Sequence, residues 1–118
     1  MFAKSTLHGT TKYVGVDERL RWARHEHPDL QQTSEQVART DDYAEFKVTL
    51  VIPSTGARSE GHGDCRRADF AKFVQKAEND ALGNALDHLG YSSEAALAFE
   101  RRQAAAAPVK PAAQAPAV

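Results

Sequence analysis

The chain has 118 residues, which is enough for one domain, and a formal net charge of −1. Because it is not generally basic, any binding to nucleic acid must depend on local clusters of charge. Its single cysteine, Cys65, excludes an intramolecular disulfide. It contains no apolar run long enough to cross a membrane, and residues 1–12 lack the apolar centre of a signal peptide. We therefore expect a cytoplasmic protein.

The composition changes at residue 104. The last 15 residues, AAAAPVKPAAQAPAV, hold eight Ala and three Pro, with Lys110 as their only charge. Proline interrupts helices and alanine cannot fill a core, so this segment is predicted to be a disordered tail that is available to a protein partner. Residues 1–103 are predicted to form a single domain.

Hydrophobic periodicity predicts an α+β fold. After an irregular stretch, 1–12, the predicted elements are a short helix Val16–His27, an edge strand Thr33–Arg39, a strong strand Tyr43–Ile52 and a third strand Ala57–Gly63. Pro28 ends the first helix, and Pro53-Ser54-Thr55-Gly56 has the composition of a hairpin turn. The register that this turn implies places Lys47 opposite His62, and Val51 opposite Arg58.

A long helix is predicted to follow, from Ala68 or Asp69 to a stop at Gly90, and then a short helix over Glu94–Gln103. The predicted core stripe of the long helix is Phe70, Phe73, Val74, Ala77, Ala81, Ala85 and Leu89. Its opposite face is predicted to be Lys72, Lys76, Asn79, Gly83 and Asp87. With the helix packed on the three-stranded antiparallel sheet, the core is β-β-β-α. The edges of so small a sheet need partners or protection.

Charge is segregated along this helical region. Residues 66–76 carry Arg66, Arg67, Lys72 and Lys76 against Asp69, whereas residues 78–100 carry five carboxylates and no Lys or Arg. The first part is a candidate anion-binding surface, and Lys47 and Arg58 on the predicted hairpin extend it. The same residues are equally typical of a solvated helix start and of outward-facing strand positions. Trp22 and Tyr43 are typical of core or interface aromatics, or of aromatics that stack on bases.

No enzyme is predicted from the motifs. The chain has no glycine-rich phosphate loop, no Walker pattern and no nucleophile elbow. Four potential zinc ligands exist, namely His25, His27, His62 and Cys65. His25 and His27 are two residues apart and so point to different sides of a helix. We therefore expect neither a metal site nor a cofactor.

Three segments together resemble a known family. They are KYVGVDERLRWARHEHPDLQ, AEFKVTLVIPSTGARSEGHG and DFAKFVQKAENDALGNALDHLGY, which span roughly residues 12–91. In this order they resemble the single-strand annealing proteins of the Rad-fifty-two superfamily, especially the small bacterial and phage branch of DdrA-like proteins. The resemblance implies a β-β-β-α core, homo-oligomeric rings or spirals, and a basic groove that binds single-stranded DNA. It also implies annealing without nucleotide hydrolysis, in DNA repair or recombination at the nucleoid.

The chain departs from this family in the middle of the long helix. Relatives carry an arginine at the position of Asn84, where it contributes to the DNA groove. Eukaryotic relatives carry basic residues at the positions of Gly83 and Asp87. Arg66 and Arg67, in contrast, match a region that provides a second DNA contact in the family. The resemblance therefore implies that DNA binding depends more on these two arginines than on the middle of the helix.

Two other interpretations remain open. The α-β-β-β-α order also describes a double-stranded RNA-binding domain, which recognises shape through 2′-hydroxyls and phosphates. The third interpretation is an oligomeric interaction scaffold that binds no nucleic acid, which the negative net charge and Asn84 favour.

Overall fold

The computed structural model describes residues 5–8 and 11–106, with side chains described from residue 14 to residue 105. The elements in chain order are β1 (Ser5–His8), β2 (Thr11–Val14), α1 (Val16–Glu26), β3 (Gln31–Arg39), β4 (Tyr43–Ile52), β5 (Ala57–Arg66), α2 (Phe73–Leu89) and α3 (Ser93–Ala106). The predicted α+β class is confirmed. The predicted tail lies outside the described residues apart from 104–106, which belong to α3.

The sheet is antiparallel with the order β3-β4-β5. The predicted register is confirmed, because Lys47 pairs with His62 and Val51 pairs with Arg58. β3 is an edge strand, as predicted, and a β-bulge between Gln36 and Ala38 interrupts its pairing with β4. β1 and β2 pair with each other in a separate antiparallel sheet, so the prediction of irregular structure over residues 1–12 was wrong at residues 5–8 and 11–12.

The core lies between α2 and one face of the sheet. Along β4 every second side chain is buried: Ala44, Phe46, Val48, Leu50 and Ile52. This alternation is what a strand needs when a helix covers one of its faces only. The helix contributes Phe73, Ala77, Ala81, Leu82, Ala85 and Leu86. β3 lies beyond this cover, and its side chains are exposed on both faces except for the half-buried Ala38.

Two glycines bring α2 unusually close to β5. A Cβ atom on Gly61 would lie 2.8 Å from the carbonyl carbon of Asn84 and closer still to Ala85 N and Ala81 O. A Cβ atom on Gly63 would lie 2.9 Å from Asp80 Cβ and closer still to Ala77 O and Ala81 N. Helix and strand therefore pack backbone against backbone, which only glycine allows.

The predicted start of the long helix was wrong. β5 continues three residues beyond the predicted Gly63, to Arg66, and the Arg67 N–H still donates to Asp42 O at 2.8 Å. Strand pairing therefore uses the residues that were assigned to the approach to the helix, and α2 begins only at Phe73. Asp69 lies before the helix rather than in its first turn. The stop was correct, since Gly90 adopts a left-handed φ of 103° and the Tyr91 N–H donates to Leu86 O.

The predicted faces of the helix also need correction. Phe70, which was assigned to the core stripe, precedes α2 and is 47% exposed. Gly83, which was assigned to the polar face, is buried against Val16 and Arg19 of α1. The buried stripe therefore includes the positions next to Gly83, namely Leu82 and Leu86, that a narrower stripe left out.

A hydrogen-bonded aromatic cluster fixes α1 to the turn that follows α2. The Glu26 carboxylate accepts hydrogen bonds from Trp22 Nε1 at 2.9 Å and from the Tyr91 hydroxyl at 2.7 Å. The Trp22 and Tyr91 rings meet edge to face, with centroids 4.6 Å apart, and the Phe99 ring of α3 also packs on Trp22, with centroids 5.3 Å apart. Trp22 is thus a core aromatic.

Candidate nucleic-acid interface

Phe70, in the loop that joins β5 to α2, is the most exposed of the Phe, Tyr and Trp side chains from residue 14 to residue 105. Residues 67–72, hereafter the β5–α2 loop, begin with a turn in which the N–H groups of Asp69 and Phe70 donate to Arg66 O. This turn fixes the path of the chain around Phe70 and leaves its ring 47% exposed. An apolar ring held in solvent beside cations is the arrangement that single-stranded nucleic acid uses for stacking.

Two cations at the ends of this loop are available to a phosphate. Arg66 lies at the end of β5, exposed, with its guanidinium 5.6 Å from the centroid of the Tyr43 ring. Lys72 is exposed immediately before α2. Neither forms an ion pair with any residue from 14 to 105. Both therefore combine a positive charge with free donors next to Phe70 in the chain.

Arg67 has a different role from the one predicted. Its Nε donates to Asp41 O at 2.8 Å, its guanidinium lies 3.9 Å from the Asp42 carboxylate, and it stacks 5.3 Å from the centroid of the buried Phe73 ring. These contacts tie the β3–β4 turn to the first residue of α2. Arg67 is therefore an anchor of the fold, in addition to being a candidate anion-binding residue.

Lys47 and Arg58 lie on the face of the sheet opposite α2, as predicted, but each has an acidic neighbour. Lys47 Nζ lies 3.8 Å from the Glu35 carboxylate, and Arg58 donates to Glu60 at 3.1 Å. The hydrogen bond from Arg58, with the charge of Lys47 nearby, lowers the pKa of Glu60. This keeps the carboxylate ionised, so the two cations are largely neutralised.

The whole uncovered face of the sheet shows the same balance. Three cations, Lys47, Arg58 and Arg66, share it with four carboxylates, Glu35, Glu45, Glu60 and Asp64. The Tyr43 hydroxyl donates to Glu45 at 3.2 Å and to Asp64 at 3.3 Å. Burial, together with these two charges, raises the pKa of Tyr43. This face does not attract anions as a whole, and only its Arg66 end carries uncompensated positive charge.

Lys76 and Asn84 line a cleft of about 510 Å³ between α1, β5 and the outer side of α2. Lys76 Nζ contacts the Asp80 carboxylate at 2.7 and 2.9 Å. Asn84 Nδ2 donates to His62 O at 2.6 Å, so the amide is used within the fold. With Asp64 and Asp87 also in the lining, three carboxylates face two cations, Lys76 and Arg19. The structure places these two predicted residues in acidic surroundings, and of the two only Lys76 is close to the β5–α2 loop, since its backbone N–H donates to Lys72 O at 3.0 Å.

Sequence reasoning missed Arg19, which lies at the inner wall of this cleft and is only 4% exposed. Its Nη1 donates to Asp87 at 2.6 Å, to Tyr91 O at 3.1 Å and to Gly83 O at 3.5 Å. Asp87 therefore compensates a buried cation instead of simply repelling an anionic ligand. The burial of Arg19 could have been predicted from its spacing, since it lies three positions after Val16 and four before Ala23, on the apolar side of α1.

Metal ligation finds no support in the side chains of residues 14–105, among which no cluster of three or more His, Cys, Asp or Glu could hold an ion. Within the helices that the structure describes, none is long and apolar enough to span a membrane.

Comparison with protein-family models, with curated proteins and with solved structures gave no match. Function must therefore be argued from the geometry of the chain itself.

Proposed function

We propose that this chain binds single-stranded DNA without base specificity, at the β5–α2 loop, and anneals complementary strands without hydrolysing nucleotides. The observation that carries the proposal is the exposed Phe70, which lies in the chain between Arg66 and Lys72, two exposed cations that form no ion pair with residues 14–105. Phe70 provides a stacking platform for a base, and the two cations provide partners for the phosphates on either side. Such binding would place the protein at the nucleoid, in DNA repair or recombination.

The resemblance to the Rad-fifty-two superfamily supports the annealing step, which the loop alone does not specify. The confirmed β-β-β-α order is the one that this resemblance implies. Annealing requires that bases remain accessible while the backbone is held, and a shallow loop site suits this better than an enclosed pocket. Two cations imply modest affinity with a marked dependence on salt.

The decisive experiment measures the fluorescence anisotropy of a labelled oligothymidine over a series of salt concentrations. Phe70→Ala should weaken binding about fivefold to 150-fold, because stacking on an aromatic is worth about 1–3 kcal/mol per base. Val37→Ala is the matched control, since Val37 is the other large apolar side chain that is exposed in the described part of the chain, at 46%. It should leave binding unchanged.

The cations are tested in the same assay. Lys72→Ala should weaken binding and reduce the slope of log K against log salt by about 0.7, the value for one phosphate contact on a single strand. Arg58→Ala removes the same charge from a residue that Glu60 already compensates, and should change the slope little. Equal effects of the two variants would contradict a site at the loop. Annealing itself is then measured as fluorescence energy transfer between two complementary labelled strands.

A scaffold without nucleic acid is the second candidate. The specific observation in its favour is that Lys47, Arg58, Arg67 and Lys76 all have acidic partners. If the wild-type chain binds neither single strands nor duplexes at low salt, the scaffold replaces the annealing protein. A preference for duplex RNA over single strands would instead favour the double-stranded RNA-binding interpretation.

A further inference from the structure

The two edges of the sheet are not equivalent. The Arg67 N–H donates to Asp42 O, so residues 42 and 67 form a hydrogen-bonded pair of the β4–β5 ladder. Hydrogen-bonded and non-hydrogen-bonded pairs alternate in an antiparallel ladder, so the backbone groups of Glu60 and His62 point away from β4, out of the sheet. Both carbonyls are occupied. His62 O accepts from Asn84 Nδ2, and Glu60 O lies 2.6 Å from His88 Nδ1, whose proton it accepts. Helix α2 thus protects the β5 edge.

The β3 edge has no such protection. Lys47 directs its backbone groups toward β3, where it pairs with Glu35, so the flanking residues Ser34 and Gln36 direct theirs outward, as does Gln32. No other element described in the structure pairs with this edge, because β1 and β2 form their own sheet. β3 is also polar and exposed on both faces. An open row of N–H and C=O groups is a template for another strand.

We propose that β3 is a self-association edge, where two copies of this chain pair antiparallel about a twofold axis at Ser34. A head-to-tail assembly through the sheets, which the rings or spirals implied by the family resemblance would require, needs both edges, and α2 already occupies the β5 edge. Only an isologous contact, with the same edge on both sides, uses β3 alone. The stretch from Gln32 to Gln36 that precedes the bulge is centred on Ser34, so this register pairs the whole of it.

Charge selects the same register. About the axis at Ser34, Gln32 lies opposite Gln36 of the second copy and Thr33 lies opposite Glu35, so no like charges face each other. Shifting the axis to Glu35 would place two carboxylates directly opposite each other, which is unfavourable. Shifting it to Thr33 would leave the outward-facing groups of Gln36 without a partner inside the regular stretch. The register with its axis at Ser34 therefore forms the most backbone hydrogen bonds and also avoids placing like charges directly opposite each other.

The test is sedimentation equilibrium across the micromolar range, without nucleic acid, so its outcome is independent of strand binding. Ser34→Pro removes an N–H that bonds nothing within the isolated chain, and proline is tolerated where an edge N–H faces solvent. It should abolish the dimer. Ser34→Ala retains the N–H and is the matched control, which should dimerise like the wild type. Circular dichroism of the proline variant confirms that its fold is retained.

A pair of substitutions at Thr33 tests the register independently of proline. Thr33→Lys places an ammonium opposite Glu35 of the second copy, twice per dimer, and should tighten the dimer roughly threefold to tenfold. Thr33→Glu places a carboxylate there and should weaken it by a similar factor. A monomeric wild type throughout the range would overturn the proposal. The proposal would also be overturned if Ser34→Pro left the oligomer intact, or if Thr33→Lys and Thr33→Glu did not change the dimer affinity in opposite directions.

Discussion

The close approach of α2 to β5 predicts a large effect of a single methyl group at Gly61. Gly61→Ala adds a Cβ atom within 2.8 Å of three backbone atoms of α2, whereas ordinary contacts begin at 3.4 Å. These backbone atoms cannot rotate away as a side chain would, so the helix must retreat from the sheet by more than about 0.6 Å, the difference between these two distances. A gap of this size forfeits about a quarter to a half of each dispersion contact across the interface.

The magnitude follows from what that interface contains. Leu82, Ala85 and Leu86 of α2 belong to the same buried cluster as the buried row of β4, so a retreat of the helix loosens all of them together. Overpacking a core costs typically about 1–3 kcal/mol, and a backbone-against-backbone clash belongs at or above the upper end. We expect a loss of about 3 kcal/mol in the free energy of unfolding, or roughly 12–24 °C in Tm for a domain of this size.

Urea denaturation followed by circular dichroism measures this loss directly. Gly15→Ala is the control, because a Cβ atom on Gly15 meets nothing within 4 Å and its φ of −66° suits alanine. It should change the free energy of unfolding by less than about 1 kcal/mol. If Gly61→Ala were as stable as Gly15→Ala, the close approach of α2 to β5 would be refuted, and with it the protection of the β5 edge.

Three further outcomes are expected from contacts that sequence reasoning did not anticipate. Arg67→Ala should destabilise the fold by about 1 kcal/mol in urea denaturation, because it removes one hydrogen bond and one cation–π contact, and an unchanged stability would contradict its role as an anchor. Asp87→Asn should cost about 1–3 kcal/mol by the same measurement, since it leaves the charge of Arg19 poorly compensated, although the exposure of Asp87 limits the loss. Burial and the Glu26 carboxylate raise the pKa of Tyr91 above its usual 10.0, so the stability that this hydroxyl provides is complete below pH 10 and falls as the pH rises through the folded pKa. Tyr91→Phe should flatten that alkaline loss in a pH series of thermal melts, and an equally steep loss in both proteins would contradict it.

Local pattern predicted the elements of this fold where one face of an element is buried. The alternation along Tyr43–Ile52 gave the central strand with its bounds, and the turn at Pro53 gave its register with β5. Pro28 and Gly90 correctly predicted the ends of two helices, because each restricts the backbone by itself.

The junction between β5 and α2 was not predictable from the same rules. Phe70, Phe73, Val74 and Ala77 have helical spacing, and nothing local distinguishes the first from the rest. What decides the boundary is the pairing of β5 with β4 beyond Gly63, a contact between residues 19 to 23 positions apart in the chain. Since strand pairing satisfies backbone groups that a premature helix would leave open, tertiary structure overrides the local preference.

The same limitation governs the candidate site. Charge counted along the chain assigns equal weight to each of the four cations from Arg66 to Lys76, but the fold separates them. Arg67 is hydrogen-bonded to the β3–β4 turn, and Lys76 forms an ion pair with Asp80 one helical turn further on. Arg66 and Lys72 therefore remain available to a charged ligand. The aromatic that completes the surface is Phe70, which is available because α2 begins after it instead of before it. The error in the helix boundary and the identity of the candidate site thus have one cause. The extension of β5 to Arg66 pushes a core-like phenylalanine into solvent, and this makes Phe70 the residue on which the proposed strand binding depends.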